Sequence, residues 1–220
     1  MNTVIKKTAI AATISLALTS TAFAGASANI GVMSDYVWRG VTQNNSDPSL
    51  MGGLDYEASN GFYVGTWAAQ VDNDGDDLEL DIYGGYSKEL ANGLSYDVGA
   101  IQYLYPGVSG SGADFTEIYA NASYKFVEVG VASTVSADND ASEGDLYTHL
   151  TLSKDIGPIA ASATVGNYNF DAAGADSVNN YQVAGTYASS IGDITAAYDS
   201  TDVSGSDDIV SLTWSKGFDF

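Results

Sequence analysis

The stretch Val210-Ser211-Leu212-Thr213-Trp214-Ser215 alternates apolar and hydrophilic side chains without a break. Successive side chains of a β-strand point to opposite faces of the sheet, so this order gives one apolar and one hydrophilic face. The same alternation occurs in Leu78-Glu79-Leu80-Asp81-Ile82 and in Val127-Glu128-Val129-Gly130-Val131. It predicts β-strands, but a soluble sheet packed on a core and a barrel with an apolar outer surface would both show it.

Segments of this kind recur along the chain and predict an all-β protein of about 12 strands. Their lengths are close to the roughly 9–11 residues that a tilted membrane-crossing strand needs. The predicted strands cover residues 28–40, 50–58, 61–71, 78–90, 94–105, 115–124, 126–136, 146–154, 158–168, 179–188, 192–199 and 209–220.

The connections between these strands alternate in length and chemistry. Those after odd-numbered strands are long and acidic and contain no lysine or arginine; they cover 41–49, 72–77, 106–114, 137–145, 169–178 and 200–208. Those after even-numbered strands are tight, as at Ala91-Asn92-Gly93. Outer-membrane barrels have short periplasmic turns and longer extracellular loops, so this sorting favours a transmembrane antiparallel up-and-down β-barrel with both termini in the periplasm. A soluble protein with acidic surface loops is the alternative.

Composition narrows the possible partners. The 220 residues include 28 Asp and Glu against 7 Lys and Arg, a formal net charge of −21, and no cysteine. A chain this acidic cannot neutralise a run of phosphates, and we expect no nucleic acid as partner. Without cysteine it has no disulfide framework and no thiolate metal site. We expect no cofactor.

The first residues have the features of a secretory signal peptide. Lys6 and Lys7 precede the apolar stretch 8–19, and Ala22-Phe23-Ala24 has the small-x-small pattern of a cleavage site. Residues 1–24 are therefore predicted to be cleaved. This leaves 25–220 as a single barrel domain in the outer membrane of a Gram-negative bacterium.

The end of the last strand predicts how the barrel is assembled. Phe218-Asp219-Phe220 resembles the sorting signal of bacterial outer-membrane proteins. Phe218 and Phe220 are accordingly predicted to bind the barrel-assembly machinery during biogenesis. The further partners expected of such a barrel are outer-membrane lipid and lipopolysaccharide, and a homo-oligomer is possible.

The first predicted strand holds the sole arginine of the sequence. Within 28–40, Tyr36 and Trp38 share the parity expected to face lipid, whereas Asp35 and Arg39 take the other parity and would face the lumen, the space inside the barrel. A charge facing hydrocarbon near the midplane would cost roughly 2–4 kcal/mol, which favours the lumen for Arg39. Arg39 and nearby carboxylates then either set up a field across a constriction or form a structural ion pair between strands.

Further carboxylates share the inward parity, and they define the candidate selectivity residues. Besides Asp35 and Arg39, these are Glu79, Asp81, Asp97, Glu117 and Glu128. A lumen with several carboxylates and one arginine is expected to favour cations over anions.

The acidic connection 72–77 is a weak candidate for a divalent cation site through Asp72, Asp74 and Asp76. It does not match an EF-hand loop, because its glycine is fourth rather than sixth and Tyr83 stands where the twelfth-position glutamate would be. A solvated acidic loop, bridged to lipopolysaccharide by divalent ions, explains it as well.

Several motifs resemble those of the TorF-type porin family, which consists of small proteobacterial outer-membrane β-barrel proteins. They are Ser34-Asp35-Tyr36-Val37-Trp38-Arg39-Gly40-Val41, Gly53-Leu54-Asp55-Tyr56, Gly61-Phe62-Tyr63-Val64-Gly65-Thr66-Trp67, Glu79-Leu80-Asp81-Ile82-Tyr83-Gly84-Gly85-Tyr86, Tyr103-Leu104-Tyr105-Pro106 and Glu117-Ile118-Tyr119. The resemblance implies an outer-membrane barrel with a pore. It implies no particular solute and no particular site.

These observations predict a porin-like channel for passive diffusion of ions or small hydrophilic solutes, with a preference for cations. The first alternative is a non-conducting barrel that has a structural role or displays its loops. The second is an outer-membrane hydrolase that uses His149, the single histidine, although no local motif marks a nucleophile beside it. We therefore expect a channel and not an enzyme.

Overall fold

The computed structural model describes residues 25–73, 76–106 and 113–220, and the predicted signal peptide lies outside them. The described residues form twelve long strands. We number them β1 Gly25–Met33, β2 Ser49–Glu57, β3 Phe62–Asn73, β4 Asp76–Glu89, β5 Leu94–Leu104, β6 Phe115–Tyr124, β7 Val127–Ala137, β8 Leu146–Ile156, β9 Ile159–Asn169, β10 Val178–Ser189, β11 Gly192–Thr201 and β12 Ile209–Asp219.

The strands close into one antiparallel barrel. Each strand pairs with its neighbours in the sequence, and β1 pairs with both β2 and β12. Tight turns keep sequence neighbours adjacent: Tyr124 pairs with Val127, so Lys125 and Phe126 alone make that turn. The prediction of an all-β, twelve-stranded, up-and-down barrel is confirmed.

The two faces of the wall have opposite chemistry. On β4, Leu78 and Ile82 are exposed on the outside, whereas Asp81 is buried in the lumen. On β12, Leu212 is exposed and Thr213 is buried. The apolar face therefore points away from the interior, which is the reverse of a soluble sheet packed on an apolar core.

The connections at the two ends of the barrel differ in length, and each end is named here after its connections. The turn end holds the tight connections after β2, β4, β6, β8 and β10, and the loop end holds the others. Lys88, Lys125 and Lys154 are all exposed near the turn end. Among the described residues no helix is long and apolar enough to cross a bilayer.

One predicted loop is shorter than expected. β3 continues to Asn73 and β4 begins at Asp76, so the long connection predicted at 72–77 is wrong. Asn73 pairs with Asp76 after a register shift that follows Gln70. The additional pairing satisfies backbone groups that a six-residue loop would have left to water.

The first predicted strand differs most from the structure. β1 ends at Met33 instead of residue 40, and residues 34–48, which we call the inner segment, turn into the lumen. Val37–Trp38 and Val41–Thr42 pair there as a separate two-stranded hairpin. The inner segment replaces most of the external loop predicted at 41–49.

The turn of this hairpin consists of Arg39 and Gly40, which have positive φ angles of 50° and 85°. Two consecutive positive φ values are typical of the type I′ turn that suits a two-residue hairpin connection. Gly40 is also enclosed: a Cβ there would lie 2.7 Å from Thr201 Cγ2 and 3.0 Å from Asn180 Cβ. Glycine therefore satisfies both the backbone and the packing.

Replacing Val183 with arginine tests the outward face. Val183 lies in the middle of β10 with 59% of its surface exposed. In lipid vesicles we expect Val183→Arg to lower the free energy of unfolding by about 2–4 kcal/mol, because the charge would face hydrocarbon near the midplane. Ile191→Arg, at an exposed turn, is the control, with an expected loss of about 0–1 kcal/mol. Equal losses in urea titrations of the two variants would contradict the membrane-facing surface.

Replacing Gly40 with alanine tests whether the hairpin packs against the wall. Gly205 is the matched control, because its φ of 88° resembles that of Gly40 and a Cβ there would have no neighbour within 4 Å. Both variants incur the cost of a side chain at positive φ, but only Gly40→Ala also collides with Thr201. We expect Gly40→Ala to be less stable than Gly205→Ala by about 1–3 kcal/mol in urea titration. Indistinguishable stabilities would show that the hairpin is not packed against β10 and β11.

Candidate functional site

The candidate site is the lumen at the loop end, where the inner segment crosses from one side of the barrel to the other. Ser34 exchanges two hydrogen bonds of 2.8 Å with the backbone of Leu212 on β12. Three strands away from β12, the Asp72 N–H of β3 donates to the Gln43 carbonyl at 2.9 Å. Both ends of the segment are thus anchored on the part of the wall around β1 and β2, and the hairpin extends from there into the lumen.

Arg39 lies at the tip of the hairpin and forms a bidentate ion pair with Glu117 of β6. Its Nη1 and Nη2 atoms donate to the two carboxylate oxygens, each at 2.8 Å. The pair is buried, with 10% of the Arg39 side chain and 2% of the Glu117 side chain exposed. A planar guanidinium matches a carboxylate in this paired geometry, which fixes both distance and orientation.

Aromatic rings surround the same guanidinium. The Arg39 Cζ atom lies 4.1 Å from the ring centroid of Trp38, 4.1 Å from that of Tyr147 on β8 and 5.1 Å from that of Tyr168 on β9. The negative π faces of these rings attract the cation. We call Glu117, Trp38, Tyr147 and Tyr168 the Arg39 cage.

A second buried carboxylate, Glu79 of β4, is held by tyrosines. The Tyr36 and Tyr105 hydroxyls donate to its two oxygens at 2.7 and 2.8 Å. Tyr36 comes from the inner segment, so this contact also fastens the segment to the wall. The prediction that Tyr36 and Trp38 face lipid is wrong, because the chain leaves the wall after Ser34 and the strand parity no longer applies.

Asp81, also on β4, has no comparable partners. None of its surface is exposed, and neither carboxylate oxygen has a hydrogen-bond partner among the described residues. Its carboxylate interacts electrostatically with those of Glu79 and Glu117. Three acidic side chains and one arginine therefore share this part of the lumen.

A cavity continues from Arg39 towards the turn end, with a volume of about 70 Å³. Asp97 lines it and accepts a hydrogen bond of 2.7 Å from the Tyr63 hydroxyl. Nearby, Glu128 accepts one of 3.0 Å from Ser123 and lies 3.4 Å from His149 Nε2. This part of the lumen has several hydrogen-bonding groups in its lining and is large enough for water.

The structure places all seven predicted luminal residues inside the barrel. Asp35 accepts a hydrogen bond of 2.7 Å from Thr42 within the inner segment. Asp35 and Arg39 lie on that segment and not on a wall strand, which corrects their predicted placement. Alternation predicts an inward direction for Tyr147 but does not reveal that Tyr147 and Tyr168, opposite each other in the β8–β9 register, contact Arg39.

The metal candidate remains a prediction. The Asp72 carboxylate accepts a hydrogen bond of 2.7 Å from Asn45, Asp74 lies outside the described residues, and the placement of the Asp76 side chain is not described. Within 25–73, 76–106 and 113–220, no three His, Asp or Glu residues are arranged to hold a metal ion.

His149 contacts a tyrosine ring and a carboxylate. Its ring stacks on Tyr147 with centroids 5.7 Å apart, and its Nε2 faces the Glu128 carboxylate rather than a serine hydroxyl. A serine nucleophile needs the histidine as its hydrogen-bonded base. In the described part of the chain, His149 thus has no serine at hydrogen-bond distance from its Nε2 atom.

The predicted assembly signal lies at the seam of the barrel. Phe218 pairs with Ala28 of β1, and the Phe220 N–H donates to the Ala26 carbonyl at 2.9 Å. Both rings are exposed on the outside. Their recognition by the barrel-assembly machinery stays a prediction.

Solved structures of porins are similar to this chain at low sequence identity. The KdgM porin superposes with a TM-score of 0.58 and 8% identity, over 88% of this chain and 99% of that chain. The KdgM porin in complex with disordered oligogalacturonate superposes with a TM-score of 0.57 and 7% identity, over 89% of this chain and 99% of that chain. For the outer membrane protein opdK from Pseudomonas aeruginosa, the TM-score is 0.43 and the identity 11%, over 79% of this chain and 58% of that chain.

Sequence comparison gives the family. No curated protein matches the chain. Residues 17–214 match Gcw_chp, which is described as a bacterial protein of unknown function. Because the match covers most of the sequence, the chain belongs to the Gcw_chp family of bacterial proteins.

Proposed function

We propose that this protein is a porin-like channel of the bacterial outer membrane, through which ions or small hydrophilic solutes diffuse passively, cations in preference to anions. The observation that carries the proposal is the opposite chemistry of the two faces of the wall. Apolar side chains cover the outside, and carboxylates line a closed interior. Such a surface is stable in lipid, and such an interior is stable around water.

The cation preference follows from the charges in the lumen. Glu79, Asp81, Asp97 and Glu128 are carboxylates that Arg39 does not neutralise, since its guanidinium is paired with Glu117. Three of the lysines lie exposed at the turn end, outside this region. Rings of carboxylates attract cations and repel anions in a narrow pore.

The width of the barrel sets the size of the solute. Barrels of about 8 strands have filled interiors and those of about 16–18 have open channels, so twelve strands give an intermediate lumen. The inner segment narrows it further at the loop end. We therefore infer small solutes and not chains or folded domains.

The KdgM structures do not supply the solute. One of them contains oligogalacturonate, a sugar chain that carries a carboxylate on each unit. The carboxylates of the present lumen would repel such an anion. The shared fold therefore supports a channel, while the residues support a different charge preference.

Several parts of the proposal extend beyond the lumen. The identification as a TorF-type porin rests on the motifs between residues 34 and 119. We further propose that segment 1–24 is cleaved and that both termini lie in the periplasm. Assembly through Phe218 and Phe220, contacts with lipopolysaccharide and formation of a homo-oligomer are also part of the proposal. None of them is needed for the cation preference.

The packing of the inner segment favours one alternative, a barrel that does not conduct and only displays its loops. Tyr36, Met33, Ala69 and Val71 form a buried cluster at the loop end. If this cluster and the Arg39 cage never open, the lumen is plugged. Conductance distinguishes the two functions.

Planar-bilayer recording of the purified, refolded protein tests the channel. We expect single-channel steps in KCl and, across a salt gradient, a reversal potential that indicates cation preference. Asp97→Asn should lower this preference, because Asp97 lines the cavity. Asp207→Asn, in an exposed loop, is the control that should leave it unchanged. Anion preference would contradict the charge argument, and absence of steps from protein shown to be folded by heat-modifiable gel mobility would favour the displayed barrel.

A further inference from the structure

The Arg39 cage has the composition of a ligand site, and we propose that it binds the guanidinium group of small cationic solutes, with Arg39 as its resident occupant. This inference rests on the proposed channel and names the class of solute that the channel accepts. A solute that ends in a guanidinium group would displace the Arg39 side chain from the cage, occupy its position and then continue through the lumen.

Most of the cage belongs to the wall and not to the hairpin that supplies Arg39. Glu117 lies on β6, Tyr147 on β8 and Tyr168 on β9. Trp38 belongs to the hairpin, but its ring packs edge-on against Tyr103, Phe115 and Tyr168 at centroid distances of 6.0 to 6.2 Å. The cage therefore does not need the Arg39 side chain to keep its shape.

The inner segment is also held independently of Arg39. Its anchors are the Ser34 bonds to Leu212, the Tyr36 bond to Glu79 and the bond from Asp72 to the Gln43 carbonyl. Rotation of the Arg39 side chain breaks none of these. The cavity on the turn side of Arg39 is lined by Glu117 and Tyr147 as well, so it leads directly to the cage.

The acidic surroundings of the cage favour a cation in it. If Arg39 leaves, Glu117 remains buried beside the carboxylates of Asp81 and Glu79, and Asp81 has no hydrogen-bond partner among the described residues. An unpaired buried carboxylate is unfavourable, so Glu117 would then either take up a proton or bind another cation. An anion or a neutral solute has no such driving force.

The geometry selects guanidinium over ammonium. Glu117 accepts two parallel N–H bonds, which a planar guanidinium offers and a compact ammonium does not. Trp38 and Tyr147 present their ring faces at the same distance of 4.1 Å, which suits a flat cation. A primary amine would form neither the paired hydrogen bonds to Glu117 nor the flat contact with the two rings as completely as a guanidinium does.

Binding to Arg39→Ala tests the site without requiring conduction. The full-length mature protein with Trp67 and Trp214 replaced by phenylalanine, so that Trp38 is its only tryptophan, is refolded in detergent and titrated with methylguanidinium, and its fluorescence is followed, with methylammonium as the control ion. We expect saturable binding of methylguanidinium, with a Kd about tenfold lower than that of methylammonium. Arg39→Ala with Glu117→Gln should abolish it, and wild-type protein should bind more weakly because Arg39 competes.

Wild-type protein in bilayers gives a second test if Arg39→Ala does not fold. We expect methylguanidinium to permeate better than methylammonium through the wild-type channel, and Glu117→Gln to remove this difference. Equal behaviour of the two ions in both experiments would overturn the guanidinium site. If potassium nevertheless conducts, the proposed channel stands; if methylguanidinium binds to a barrel that never conducts, the site stands and the channel does not.

Discussion

Closure of the sheet is the constraint on which the rest of this structure depends. A backbone N–H or carbonyl group in hydrocarbon has no water to bind, so a sheet can cross a membrane only if it has no free edge. Pairing of β1 with both β2 and β12 removes the edges. Once the sheet is closed, alternation along each strand sends apolar side chains outward and hydrophilic side chains inward.

The inner segment gives this general architecture its particular chemistry. Arg39 sits in a left-handed backbone conformation that disfavours a side chain by about 1–2 kcal/mol. The bidentate bond to Glu117 and the three surrounding rings offset that cost. The hairpin thereby brings the single arginine against the acidic side chains of the lumen, where we propose that cationic solutes compete with it.

The sequence predicts the wall well and the inner segment poorly. Eleven of the predicted strands agree with the structure to within two residues at each end, because alternation and turn residues act locally. The first strand failed because Tyr36 and Trp38 keep the parity of Ile30, and alternation does not reveal whether a chain has left the wall. The pair Arg39-Gly40 between Val37-Trp38 and Val41-Thr42 was the available hairpin signal. The partner of Arg39, 78 residues away, depends on tertiary packing.

Accessibility of nitroxide-labelled single-cysteine variants along 209–215 of β12, measured in lipid vesicles, tests the account most directly, since the sequence has no other cysteine. We predict that labels at Val210 and Leu212 are relaxed by oxygen dissolved in the acyl chains and shielded from a water-soluble nickel complex. Labels at Ser211 and Thr213 should show the lowest contact with oxygen. Free access of the nickel complex to Val210 and Leu212 would contradict the membrane barrel.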